Sequence, residues 1–334
     1  MDKRSWRILP VILMIAASAL LLMGCASTSG QSANQAAQAN MPGYGNASGP
    51  ASGPAPQAPN SNETIQIVAA ENFWGSLIQQ LGGTHVQVLS IVSDPNADPH
   101  EYESNAADAR AIANANMVIV NGVGYDDWAL KLIAANNNPN QVVLNVGELV
   151  GVPDGSNPHL WYDPAYVNET VYQMYLDLVK IDPADAGYYE QQYAALNASL
   201  AEYNGRIAEI RQQFAGTEVA STESIFVYLG NATGLDVVSP PEFMDAVAEG
   251  NDPSPQSIVE FENQLESGNV SVLVYNEQTV TPLTTQMKQI AAENNVTIVG
   301  VTETIQPPDV PFQVWMNGEL LQLQNALNAN ALGQ

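Results

Sequence analysis

Only one cysteine, Cys25, and three histidines, His85, His100 and His159, occur in 334 residues. A single thiol excludes any intramolecular disulfide, and so few imidazoles leave no room for a histidine-rich loop. Basic side chains are also scarce, 9 Lys and Arg against 35 Asp and Glu, for a formal charge of −26. A surface of that sign repels phosphate backbones, which argues against nucleic acid as a partner, and it raises the local concentration of cations. The sequence has no His-Glu-x-x-His, no Gly-x-Ser-x-Gly and no P-loop, so the common zinc-peptidase, serine-hydrolase and nucleotide-hydrolysing motifs are missing.

What is present begins with an export signal. Lys3, Arg4 and Arg7 precede an apolar run from Ile8 to Met23 broken only by Pro10 and Ser18, short for a membrane span, so residues 1–24 read as a signal peptide. The run ends Leu21-Leu22-Met23-Gly24-Cys25, which resembles a bacterial lipobox and implies lipidation of Cys25. Removal of residues 1–24 would leave 6 basic against 34 acidic side chains. Residues 25–62 are rich in Ser, Gly, Ala, Pro, Asn and Gln, with almost nothing large to bury, and predict a disordered tether. The expected location is extracytoplasmic, on the outer face of the cell membrane.

Beyond Thr64, strand-like and helix-like runs alternate. Strands are predicted at Ile65–Ala69, Val86–Val92, Met117–Asn121 and Val142–Val146, with helices at Phe73–Leu81, Ala106–Ala115, Trp128–Ala135 and Tyr166–Lys180. From Pro183 to Phe214, apolar residues recur at spacings of three and four, including Tyr189, Leu196, Tyr203, Ile207 and Ile210. One helix of that length would span about 45 Å, with Gly205 as a place for a bend. Alternation then resumes, with strands at Val219–Thr222, Leu235–Val238, Val270–Tyr275 and Val296–Val301. The helices among them are Ile225–Gly230, Pro255–Leu265 capped by Ser254, Thr281–Asn294 and Phe312–Leu332. The fold class is α/β, two doubly wound parallel-sheet lobes joined by one long linker helix. The expected boundaries are 63–182 for the first lobe, 183–215 for the linker and 216–334 for the second.

Two such lobes bring strand ends and loops to a cleft. His100 ends the proline-fixed loop Asp94-Pro95-Asn96-Ala97-Asp98-Pro99-His100, and His159 follows Pro158 in Asn157-Pro158-His159-Leu160-Trp161-Tyr162-Asp163-Pro164. Proline stiffens both, which suits a metal ligand. Glu223 and Glu303 each end a predicted strand, in Ser221-Thr222-Glu223-Ser224 and Val301-Thr302-Glu303-Thr304, where helix capping is the alternative use of a carboxylate. Two imidazoles and two carboxylates form a nitrogen and oxygen donor set without sulfur, fit for Mn²⁺ or Zn²⁺. Hard oxygen donors favour manganese and the Irving-Williams order favours zinc, so the residues leave that choice open. His85, in a turn leading into a strand, reads as a surface residue.

With these segments in place, nearly all of Thr64 to Leu332 resembles the metal-binding lipoproteins of ABC transporters for manganese and zinc, the cluster A-I solute-binding proteins. The family's Asp-Pro-His motif stands as Asp98-Pro99-His100, followed by Glu101-Tyr102-Glu103, and its Asn-Pro-His motif as Asn157-Pro158-His159 with Trp161 and Asp163-Pro164. Its third ligand, His in zinc members and Glu in manganese members, falls on Glu223, with Phe226 and Tyr228 also matching. Its fourth, an Asp, falls on Glu303, one methylene longer, with Asp309 as the other candidate and Asp98 as a supporting group. The resemblance implies a monomeric, non-enzymatic carrier that captures Mn²⁺ or Zn²⁺ between its lobes through His100, His159, Glu223 and Glu303. It would hand the ion to a membrane permease while anchored through Cys25. Two rival readings stay open: a metal-dependent hydrolase with an open water position, and a surface adhesin for cell adhesion whose ion only stabilises the fold.

Overall fold

The computed structural model describes residues 64–333 apart from 97 and 137. The signal peptide, Cys25 and the tether expected at 25–62 lie outside the described residues.

The first lobe alternates β1 (Ile65–Glu71), α1 (Asn72–Gly82), β2 (Val86–Val92), α2 (Ala106–Asn114), β3 (Met117–Val120), α3 (Asp127–Asn136), β4 (Val142–Asn145), α4 (Val146–Val150) and α5 (Pro164–Ile181). All of its strand pairings are parallel, in the order β2-β1-β3-β4, with Ile67 lying between Val88 and Met117. Strand β3 reads as an unbroken apolar run because helices cover both faces, and every one of its residues is buried.

A helical rod follows, α6 (Ala186–Ser199) and α7 (Ala201–Phe214). Its joint lies at Leu200 (φ −74°, ψ −10°) and not at Gly205, which sits inside α7 with open space around it. Helical hydrogen bonding runs through the joint, since Leu200 N donates to Leu196 O and Asn204 N to Leu200 O, both at 3.0 Å. The bend expected from the low helix propensity of glycine is therefore absent from α7, where an exposed helix face carries the residue. Tyr189, Leu196, Leu200, Tyr203, Ile207 and Ile210 form the buried stripe that the spacing predicts.

The second lobe contains β5 (Glu218–Ser221), α8 (Val227–Thr233), β6 (Asp236–Val237), α9 (Pro241–Ala248), α10 (Pro255–Glu266), β7 (Val272–Asn276), α11 (Pro282–Glu293), β8 (Thr297–Val301) and α12 (Phe312–Gly333). Its order, β6-β5-β7-β8, again all parallel, repeats the first lobe. Ser254 caps α10 by accepting from Ser257 N at 3.2 Å.

Two helices escape the sequence reading. Helix α4 begins where a strand was expected to end, because Asn145 accepts from Glu148 N and turns the chain at Val146. Helix α9 lies in a stretch for which no element was predicted; Pro240 stands at its cap position, Pro241 opens it, and Phe243, Met244 and Val247 bury one face. Both lobes direct the carboxyl ends of their strands toward the loops that carry the candidate site residues.

Candidate metal centre

Each of the four sequence-predicted residues stands just beyond a strand or on a proline-fixed turn. His100 sits in one turn of 3₁₀ helix, Pro99–Glu101, after β2; Asp98 caps that turn by accepting from His100 N at 2.9 Å. Asp98 thus supports the histidine through its backbone. His159 follows Pro158, and Asn157 Oδ1 accepts from His159 N at 3.0 Å and meets His159 Nδ1 at 2.8 Å. Because Asn157 Nδ2 is committed to Ser224 O at 2.7 Å, its Oδ1 is an acceptor, so the proton sits on His159 Nδ1 and the Nε2 lone pair faces the cleft. Glu223 leaves β5 and accepts from Ile225 N at 3.2 Å through Oε1. Glu303 leaves β8, and its backbone N donates to Gln278 Oε1 at 2.8 Å.

The structure brings all four side chains together. One donor atom from each lies within 4.8 Å of the others. His100 Nε2 is 3.3 Å from Glu303 Oε2, and His159 Nε2 is 3.7 Å from Glu223 Oε1 and 3.9 Å from Glu303 Oε2. His100 Nε2, His159 Nε2 and Glu223 Oε2 are buried and lack a hydrogen-bond partner among the described residues. Buried polar atoms are nearly always paired, so three without a hydrogen bond in one cluster mark a place for a shared ligand.

Electrostatics fit the same reading. Burial lowers His159 to about 3, keeping it neutral. Burial disfavours a charged His100 as well, but the Glu303 carboxylate more than reverses this and holds it up at about 9. Burial, with the charge of Glu303 added, pushes Glu223 up to about 8. Burial would raise Glu303 too, yet His100, then His159 and the Tyr125 hydroxyl, hold it below the usual carboxylate range. At neutral pH without an ion, the cluster therefore carries one carboxylate and one imidazolium, a neutral set with two displaceable protons.

Several functional neighbours were not read from the sequence. Tyr125 donates to Glu303 Oε2 at 2.6 Å, and Asn276 and Thr279 donate to Glu303 Oε1 at 2.8 Å and 3.2 Å. All three follow strands, Tyr125 after β3 and the others at and after β7, and the rule that ligands gather at strand ends would have found them. The Tyr125 turn is strained, with Val123 at φ +57° between two glycines. Asp126 holds that turn by accepting from Asn121 N at 2.6 Å and Gly122 N at 2.8 Å, and Asn121 reaches on to Pro158 O at 2.8 Å, beside His159. Trp161 stacks on Phe73 at 3.9 Å between ring centres and walls the site on the side of His159.

Asp309 is exposed and lies outside the group, so the second carboxylate of the cluster is that of Glu303. His85 is only partly exposed: it pairs with Asp185 at 3.0 Å and stacks on Tyr188, forming with Asp182 a second small group that shares no residue with the first.

A family model described as ZnuA, zinc-uptake complex component A periplasmic, matches residues 67–326. The chain is 28% identical over 185 residues to the manganese-binding lipoprotein MntA of Halalkalibacterium halodurans, covering 53% of this chain and 60% of that one. It is 20% identical over 260 residues to the high-affinity zinc uptake system protein ZnuA of Bacillus subtilis, covering 72% of this chain and 80% of that one. Among solved structures, the periplasmic zinc binding protein TroA from Treponema pallidum matches with a TM-score of 0.68 at 15% identity, over 80% of this chain and 99% of that one, a likeness of fold.

Proposed function

Because the chain belongs to the family of the periplasmic zinc-uptake complex component A, we propose that it is the solute-binding protein of a metal ABC transporter. It captures a divalent transition metal, Mn²⁺ or Zn²⁺, between its lobes and delivers it to a membrane permease. His100, His159, Glu223 and Glu303 are the proposed ligands. The observation that carries this reading is the set of three buried atoms without hydrogen-bond partners within one cluster of four candidate ligands.

The two carboxylates point to different metals: glutamate at the position of Glu223 is the manganese members' residue, while the surroundings of Glu303 suit zinc. Asn276 and Thr279 occupy Oε1 of Glu303, which leaves Oε2 to bind alone, and each histidine offers one nitrogen. A set of about four single donors matches the tetrahedral habit of Zn²⁺, whereas Mn²⁺ prefers more oxygen contacts. The reaction is capture and handover without turnover: His100 and His159 come from the first lobe, the two glutamates from the second, and the ion joins them.

On this reading, residues 1–24 are a signal peptide, Cys25 carries lipid, residues 25–62 tether the binding lobes to the outer face of the membrane, and the protein works as a monomer. Competitive titration with Zn²⁺ and Mn²⁺, with elemental analysis of the purified protein, tests the function. One tightly held equivalent, with His159→Ala weakening affinity at least about tenfold, is expected. Unchanged affinity in that variant removes His159 from the site. The adhesin alternative makes the opposite prediction for chelation, which would unfold the lobes; here each sheet packs a buried apolar cluster of its own and a larger one spans both lobes, so the stripped protein is expected to stay folded.

A further inference from the structure

Behind Glu303 lies a buried carboxyl group that the metal-binding reading does not use. Glu319, on α12, is 7% exposed and has no basic partner among the described residues. Its Oε1 accepts from Thr302 N at 3.0 Å, and its Oε2 lies 2.8 Å from the Tyr162 hydroxyl. That hydroxyl also lies 2.8 Å from Thr302 O.

Counting hydrogens decides the protonation of this group. A phenol has one hydrogen, yet two oxygens stand at hydrogen-bonding distance from it, the Thr302 carbonyl and a carboxyl oxygen of Glu319. If Glu319 were ionised, one of these contacts would press two acceptors together with nothing between them. A proton on Glu319 removes the conflict. Thr302 N then donates to Glu319 Oε1, Glu319 Oε2 donates to the Tyr162 oxygen, and Tyr162 donates to Thr302 O, closing a ring in which every group is satisfied. Thr302 lies just past the end of β8, so Tyr162 and Glu319 together take the place of a further strand for its backbone. Trp315 Nε1 donates to Thr302 Oγ1 at 3.0 Å and fixes the same residue from its other side.

The ring ties together the two halves of the site. Thr302 immediately precedes Glu303, and Tyr162 lies three residues after His159 in the same stiff loop. We propose that neutral Glu319 and Tyr162 form a latch between the lobes, a pair of positioning residues that holds Glu303 against the histidines and slows release of the captured ion. The latch rests on the metal-binding reading above. Burial, which pushes Glu319 up to about 8, supports the proton that the geometry demands.

Zinc release into excess chelator, followed by stopped flow, tests the latch. Tyr162→Phe and Glu319→Leu each break the ring and are expected to release zinc about tenfold faster than the unaltered protein, the scale of one lost buried hydrogen bond. Glu319→Gln keeps it, because the amide oxygen accepts from Thr302 while the amide nitrogen donates to Tyr162, so its release rate stays near that of the unaltered protein. A merely space-filling role for Glu319 would not distinguish its Gln and Leu variants in this way. Infrared difference spectra of the metal-free protein should show the carbonyl band of a neutral carboxylic acid that Glu319→Gln lacks. Release from Glu319→Gln as fast as from Glu319→Leu, or no such band, overturns the proposal. If the unaltered protein binds neither zinc nor manganese, the metal-binding reading fails, while the infrared band still decides the state of Glu319.

Discussion

His100 Nε2 and Glu303 Oε2 meet at 3.3 Å across the two lobes, close enough for an ion pair though not aligned as a hydrogen bond. The pair holds in place, by a proton, what a metal ion would hold by coordination. This substitution governs how the site responds to acid.

Capture of a divalent ion should release protons. With His100 near 9 and Glu223 near 8, both are protonated at neutral pH before the ion arrives, and coordination needs both bare. Calorimetry in buffers of differing ionisation enthalpy should find close to two protons released per ion at pH 7. Affinity should rise with pH until about 9 and fall in acid. A release near zero would mean that the ligands are already deprotonated.

Glu303→Asp should weaken zinc binding by about tenfold although the charge is kept. The longer side chain lets Oε2 reach His100 and His159 while Oε1 stays on Asn276 and Thr279. Aspartate, one methylene shorter, cannot satisfy both sides, and buried groups left unpaired cost about 1–3 kcal/mol. Equal affinities for the two proteins in competitive titration would show that the loop moves to compensate.

Metal-free protein should melt at higher temperature at pH 6.5 than at pH 9. His100 is raised above its unfolded value, so its contribution is complete below about 6.5 and lost as pH climbs through about 9. Glu223 and Glu319, both near 8, also lose stabilisation as pH rises, from about 4.5 up to 8. His159 works in the other direction, but its loss falls between about 6.5 and 3, outside this window. Calorimetric scans after chelation check the order, and His100→Gln should remove most of the change above pH 8.

Gly82→Ala should destabilise the first lobe by roughly 1–3 kcal/mol without changing the ligands. An added Cβ would lie 2.2 Å and 2.3 Å from the two γ-methyls of Val86, a β-branched side chain with little freedom to turn away. Thermal melting measures the loss, and metal stoichiometry of the protein that remains folded should stay at one.

Much of this architecture is legible in the chain because its signals are local. Parallel strands buried on both faces appear as unbroken runs such as Met117-Val118-Ile119-Val120, and Pro99 and Pro158 announce two rigid loops that end in histidine. Glu223 and Glu303 are legible as carboxylates at strand ends. What escapes the eye depends on tertiary placement. Tyr125 looks like a turn residue, and only the fold carries its hydroxyl to Glu303. Glu319 reads as one more acidic residue of a long surface helix until Tyr162 and Thr302 close around it. The joint of the rod at Leu200 has no breaker residue to betray it, while the suspect, Gly205, sits in an ordinary helix.

His159, Glu223 and Glu303 have no solvent-accessible side chain, whereas 20% of the His100 side chain is open to water. With the lobes in this arrangement, the enclosure has one thin wall, and His100 is that wall. A small reagent in solution meets this imidazole before any other member of the cluster.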